Sequence, residues 1–120
     1  MTNLLVETKQ KLKDIGKTPK DIIFIGSEQS GHQCSWDRFE VLANAEYDSG
    51  FGGREVAPDL IIVFSDGSRL DRGEYDGSEW WVYHPVFKIP EVSFPMTSVF
   101  GFDAWNTLAD IEEAEPENEP

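Results

Sequence analysis

Two Asp-Gly dipeptides, Asp66-Gly67 and Asp76-Gly77, lie ten residues apart inside a stretch of β-branched and aromatic residues. Asp-Gly flanked by such residues is the strongest local signal for a two-residue hairpin turn of type I′. Two of them in tandem predict a three-stranded antiparallel meander over Asp59–Pro85. Its strands are Leu60–Phe64, Arg69–Tyr75 and Glu79–His84, the last stopped by Pro85.

Two-residue turns also predict a register. Phe64 would face Arg69 and Val63 would face Leu70 across the first turn; Glu74 would face Glu79 and Arg72 would face Trp81 across the second. Side chains alternate across a strand. One face would then carry Ile61, Val63, Leu70, Arg72, Trp81 and Tyr83, and the other Ile62, Phe64, Asp71, Gly73, Trp80 and Val82. Both faces are apolar, so either helices cover both or one aromatic patch is left open. Trp80 and Trp81 point opposite ways, and an exposed one would be a candidate interface anchor. Gly73 opposite Trp80 leaves room for the indole, and Arg72 opposite Trp81 is a candidate cation–π pair.

Around the meander, Asn3 to Ile15 predicts a helix with Leu5, Thr8, Leu12 and Ile15 inward and Gly16 as its stop. Asp21–Gly26 predicts a short strand. Ser35 caps a second helix from Trp36 to about Tyr47, with Trp36, Phe39, Leu42, Ala43 and Tyr47 as its apolar stripe. Residues 86–102 are apolar with Pro90 and Pro95, which predicts an extended arm packed on the core. Asp103 caps a last helix from Ala104 to about Glu113, with Trp105, Leu108 and Ile111 inward. Glu112–Pro120 predicts an acidic disordered tail. The expected fold is therefore α+β, in the order α-β-α-β-β-β-α. Its sheet has three or four antiparallel strands, and residues 1–111 form one domain.

The chemistry on offer is sparse. Cys34 is the only cysteine, so no internal disulfide forms. The longest apolar run, Leu60–Phe64, is far too short to span a bilayer. The first residues lack a signal-peptide pattern, so a reducing cytoplasm is the expected location. The Gly50–Gly53 loop lacks the residues of a phosphate-binding loop and reads as a structural turn. His32, Cys34 and His84 could supply three zinc ligands, or a thiol with an imidazole base, but H-x-C alone is a weak pattern. No cofactor is expected.

Charge says more. Residues 1–20 hold five lysines against Glu7 and Asp14, whereas residues 21–120 hold 21 acids against four Arg and one Lys; the net charge is −13. Such a field repels nucleic acid and anionic membranes, attracts basic partners, and also keeps a protein soluble. Glu74 facing Glu79 is unfavourable. The pair either points into water, shares a cation or awaits a basic group. The expected contact residues for a basic partner are Asp66, Asp71, Glu74, Asp76 and Glu79, with Trp81 as an anchor.

The segments Ser35-Trp36-Asp37-Arg38-Phe39, Tyr47-Asp48-Ser49-Gly50-Phe51-Gly52, Asp59–Phe64, Asp66-Gly67-Ser68 and Glu74-Tyr75-Asp76-Gly77-Ser78-Glu79-Trp80-Trp81 resemble small proteins of tailed phages and prophages. The resemblance covers about residues 20–85. It brings no established activity and no functional residues, and implies a small protein acting on host machinery in the host cytoplasm. The leading expectation is a non-enzymatic acidic binding module, a nucleic-acid-mimicking inhibitor of a host DNA- or RNA-binding protein. The competing one is a small enzyme or ligand-binding protein, with a pocket near Gly50–Gly53 and His32, Cys34 or His84.

Overall fold

The computed structural model describes residues 1–50, 53–101 and 103–114. The protein is α+β, and the chain divides into two compact units, Met1–Phe87 and Lys88–Pro120.

In the first unit a short strand β1 (Thr2–Asn3) runs into helix α1 (Leu4–Asp14). The Asn3 side chain caps α1 by accepting from the Val6 N–H, and Gly16 follows its end at φ 73°. Strand β2 (Ile22–Gly26) and helix α2 (Trp36–Leu42) come next, with Ser35 accepting from the Arg38 N–H as the α2 cap. α2 is shorter than its apolar stripe predicts. The chain leaves it at Ala43 and forms strand β3 (Glu46–Tyr47), which pairs with β1. Leu4 and Leu5 N–H, orphan donors of the first turn of α1, are satisfied by Ala45 and Ala43 carbonyls. Tyr47 is buried as expected, but from a strand, and Leu42 is exposed.

Strands β4 (Ile61–Phe64), β5 (Arg69–Tyr75) and β6 (Ser78–His84) form the meander, and β2 adds to it antiparallel to give the order β2-β4-β5-β6. The β5–β6 register matches the expectation from Leu70↔Tyr83 to Glu74↔Glu79. Asp76 at φ 54° and Gly77 at φ 87° are the two left-handed residues that a type I′ turn requires.

The β4–β5 register corrects the expectation by one residue, with Ile62 opposite Leu70 and Val63 opposite Arg69. The first Asp-Gly is not a two-residue turn. Gly67 N–H donates to the Phe64 carbonyl and Phe64 N–H to that of Ser68, so Ser65–Gly67 form a three-residue loop with Gly67 left-handed. This is a type I turn followed by a glycine bulge. Asp66 selects it by accepting from both the N–H and the hydroxyl of buried Ser68. A one-residue slip exchanges the faces of a strand. Ile62 and Phe64 therefore enter the core with Ile25, Leu70 and Trp81, against Leu12 of α1 and Phe39 of α2. Ile61 and Val63 turn to the opposite, partly open face.

Asp66 also binds Lys17, just past the end of α1. That ammonium, then the Ser68 hydroxyl and N–H, hold the Asp66 carboxyl well below its ordinary 3.8, and the Lys17 ammonium is raised in turn by Asp66. A depressed carboxyl stabilises the fold above its unfolded value, and that contribution is lost as pH falls. The stability gap between the parent protein and Asp66→Asn, measured by urea unfolding, should be full at about pH 6 and narrow steadily below about pH 4. A gap that stays constant with pH would contradict this assignment.

The second unit has little regular structure before helix α3 (Leu108–Ala114). Among its described residues the arm forms no strand, and Phe87, Ile89, Val92, Phe94, Met96, Val99 and Phe100 along residues 86–100 are all exposed. α3 starts later than expected because Thr107, not Asp103, caps it; Thr107 and Asp110 exchange hydrogen bonds between side chain and backbone N–H. Asp103 instead holds a turn with Trp105 and Asn106. Trp105 is 86% exposed, contrary to its inward placement in a longer helix, whereas Ile111 is buried. Helix continues through Ala114 into the segment expected to be a tail. The rest of that segment lies outside the described residues.

Candidate functional sites

Arg72 organises the interior polar cluster of the first unit. β5 places it on the core face, where its side chain has no exposure. Its Nη1 donates to Glu7 Oε2 at 3.3 Å, and its Nη2 donates to Tyr47 Oη at 2.9 Å and to Glu79 Oε1 at 3.3 Å. The guanidinium also lies 4.8 Å from the Trp81 ring centroid and 5.7 Å from that of Tyr47. The Arg72–Trp81 contact follows from the register, but here it is buried, where such a contact is worth more than at the surface.

Glu79 is the buried counter-charge. Besides Arg72 it accepts from the N–H groups of Glu55 at 2.6 Å and Val56 at 3.3 Å, beyond the glycine loop. Its own N–H donates to Ser49 O at 3.0 Å. The residues on either side of Gly50–Gly53 are thus tied to Glu79 of the same chain, Glu55 and Val56 to its carboxylate and Ser49 to its backbone N–H; Phe51 and Gly52 lie outside the described residues. Glu74 sits opposite Glu79 as predicted, and like-charge repulsion is relieved because Glu79 is neutralised inside while exposed Glu74 accepts from Gly77 N–H. Trp81 is also interior, its Nε1 donating to buried Thr8 Oγ1 at 2.9 Å. Neither Glu79 nor Trp81 is placed to touch a partner, which corrects their expected surface positions. The alternation of β6 leaves Trp80 as the outward indole, 41% exposed.

Tyr47 closes the cluster by donating to Glu7 Oε1 at 2.5 Å. Burial first, then that hydrogen bond, pushes its phenol from 10.0 up to about 12, against the opposing pull of Arg72. A phenol held protonated stabilises the fold below its unfolded value and loses that contribution as pH rises toward the folded one. Absorbance at the phenolate band, compared between the parent protein and Tyr47→Phe, should assign Tyr47 a transition near pH 12. A Tyr47 transition near 10 would show that the cluster does not enclose it.

The remaining expected contact acids are spread out. Asp66 is engaged by Lys17 and Ser68, as described above. Asp71 accepts from or shares a proton with His84 Nε2 at 2.9 Å and lies 4.0 Å from Arg69. Asp76 is exposed in the second turn, beside Glu74. Only the last two present carboxylates at the hairpin tip free of an ion pair among the described residues.

The imidazoles and the thiol do not converge. His32 and Cys34 both line a shallow cleft with Gly26, Leu42 and Leu60. His84 ends β6, and strands β4 and β5 separate it from β2. Burial pushes the Cys34 thiol up, opposed by Arg38, which disfavours the nucleophilic thiolate. His32 Nδ1 is engaged with Ser30 Oγ at 2.8 Å. Among the described residues no group of three His, Cys, Asp or Glu side chains could hold a metal ion. No helix among them is long and apolar enough to cross a membrane.

A concavity lies on the open face of the sheet. It has a volume of about 430 Å³, a floor of Phe24, Ile61 and Val63, and Glu28 and Arg69 among its walls. A two-residue first turn would put Ile61 and Val63 on the same face as Leu70 and Trp81; the bulged turn moves them to the opposite face, where this groove lies. No protein-family model, curated protein or solved structure matches the chain.

Proposed function

We propose that this is a non-enzymatic acidic binding module that engages a basic surface on another protein, including surfaces that otherwise hold nucleic acid. The observation that carries the reading is the charge of the second unit. Residues 88–120 hold eight acids against Lys88, a net of −7, more than half of the chain's −13 on about a quarter of its length. No basic residue follows Lys88. Carboxylates at this density compete with phosphate for Lys and Arg groups, and such binding is strongly salt-dependent. Within the first unit, Glu74 and Asp76 at the tip of the β5–β6 hairpin are the acids best placed to add to it. The internal pairing of Asp66, Asp71 and Glu79 supports moving the contact surface away from the strands and toward this tip and the carboxyl end. The separation of His84 from His32 and Cys34 disfavours the competing reading of a thiol or zinc enzyme.

Affinity capture from cells at about 50 mM and about 500 mM salt tests the reading, with the acids at 112, 113, 115, 117 and 119 changed to amides in a parallel sample. A basic partner should be retained at low salt, lost at high salt and lost with the amide variant. Retention that ignores both salt and amidation would reject an electrostatic mode of binding.

A further inference from the structure

The lysines of residues 1–20 have no role in capturing a basic partner, yet three of them line one cleft. Lys9 and Lys13 lie at positions i and i+4 of α1 and so share a face. The chain turns at left-handed Gly16, and the Lys17 N–H donates to the Leu12 carbonyl at 2.8 Å, which carries Lys17 round to the same cleft. Trp36 and Glu40 of α2 form part of the opposite wall. The cleft has a volume of about 390 Å³, within the range of small-ligand sites, and every residue lining it belongs to the first unit.

Lysines near a helix end ordinarily serve its last carbonyls. Here the carbonyls of Lys11, Leu12 and Lys13 already accept from the N–H groups of Ile15, Lys17 and Gly16, so the ammonium groups are not drawn in as caps. Lys9 is paired with Glu40 at 3.4 Å, an exposed contact of little worth that a stronger anion can replace. Lys17 is held in place by Asp66 and keeps further N–H donors. Lys13 makes no ion pair among the described residues. Three ammonium groups against one lining carboxylate make this a cationic cleft on a chain of net charge −13. Its aromatic wall is fixed as well. The half-buried Trp36 ring stacks on buried Phe39, with centroids 5.5 Å apart and planes at 29°.

We propose that this cleft binds a mononucleotide, with the phosphate among Lys9, Lys13 and Lys17 and the base on Trp36. A phosphate monoester brings close to two negative charges and three acceptor oxygens to one point, which suits clustered ammonium groups better than the single charge of a carboxylate. A rigid indole offers a stacking platform for a base of any kind. A nucleic-acid strand would use the same groups, but its further phosphates would meet the anionic field of the rest of the chain. A single nucleotide avoids that repulsion. The site shares no residue with the acidic surface proposed to hold a basic partner, so either can fail without the other.

NMR titration of the isotope-labelled full chain with adenosine 5′-monophosphate, adenosine and inorganic phosphate tests it, at about 20 mM salt so that screening is weak. The nucleotide should bind more tightly than either fragment and should shift the Trp36 indole N–H and the backbone of residues 9–17. Lys13→Gln should weaken it by about tenfold, as for one charge-assisted contact. Lys13 is exposed, so this change does not threaten the fold. Trp36→Leu should lower the nucleotide to the affinity of inorganic phosphate and leave phosphate binding unchanged, a split that unfolding would not produce. No binding of the nucleotide up to about 5 mM overturns the proposal. So does a nucleotide affinity that ignores Lys13→Gln or does not exceed that of inorganic phosphate. A short oligonucleotide that binds more tightly than the mononucleotide would overturn it in favour of a single-stranded nucleic acid.

Discussion

Arg72→Met should lower the unfolding free energy by about 3–5 kcal/mol, a large share of the stability of a domain this size. Methionine keeps most of the aliphatic packing of the arginine stem, so the loss is electrostatic. Glu79 has no side-chain exposure and would be left buried without its counter-charge. Two N–H groups, from Glu55 and Val56, would still hold it. Glu7 and Tyr47 would lose a shared donor, and the rings of Trp81 and Tyr47 would lose the cation against them. Removing one member of a buried pair is costly, whereas replacing both by apolar groups is often nearly neutral. Arg72→Met combined with Glu79→Leu should therefore recover part of the loss. Recovery would be incomplete, because Glu55 and Val56 N–H would then lack an acceptor, at about 1 kcal/mol or more each. Urea unfolding followed by tryptophan fluorescence measures all three variants. A single substitution costing under about 1 kcal/mol would mean that the cluster does not anchor α1 and β3 to the sheet.

Gly26→Ala should be comparably severe, at about 3 kcal/mol, for a steric reason. A Cβ at Gly26 would stand 2.0 Å from the His32 carbonyl oxygen and 2.7 Å from Gln33 Cα. Both are backbone atoms, and no rotamer change can move them. Relief requires displacing the 27–33 loop, which is tied at both sides: Ser27 N–H donates to His32 O, and Cys34 N–H donates to Ile25 O. The bridge between Gly26 and Gln33 would open as well. Gly31→Ala is the matched control. Gly31 also has a positive φ, 84°, but a Cβ there meets nothing within 4 Å. Its cost should be only the left-handed backbone penalty of about 1–2 kcal/mol. Equal losses for the two substitutions would show that backbone conformation, not the close approach, dominates at Gly26.

The groove and the interior cluster were legible in unequal parts. Arg72 beside Trp81, and Gly73 making room for Trp80, both follow from the second turn, whose residues supply the left-handed conformations themselves. A Cβ at Gly73 would come 2.7 Å from Val82 Cγ2 and 2.9 Å from Trp80 Nε1, so the small residue there makes room for both the valine and the indole. Glu7 and Tyr47 gave no such signal. Both lie far from Arg72 in sequence, and Tyr47 fell on a helical stripe by spacing alone. Its burial was foreseen and its element was not. Pairing with Thr2 and a hydrogen bond to Glu7 pull it into β3, and period counting does not see such long-range contacts.

Local chemistry by itself determined the cap of α2, the strands β2, β4, β5 and β6, and the register of β5 on β6, because each depends on groups a few residues apart. Only the tertiary structure decided which face of β4 enters the core, which tryptophan stays outside, and that Glu79 is an interior ion rather than a surface one. The same Asp-Gly pair closes two kinds of loop here. At Asp66 the choice is made by Lys17 and Ser68 and by the apolar surface that Ile62 and Phe64 bury. Those contacts outweigh the small intrinsic difference between turn types.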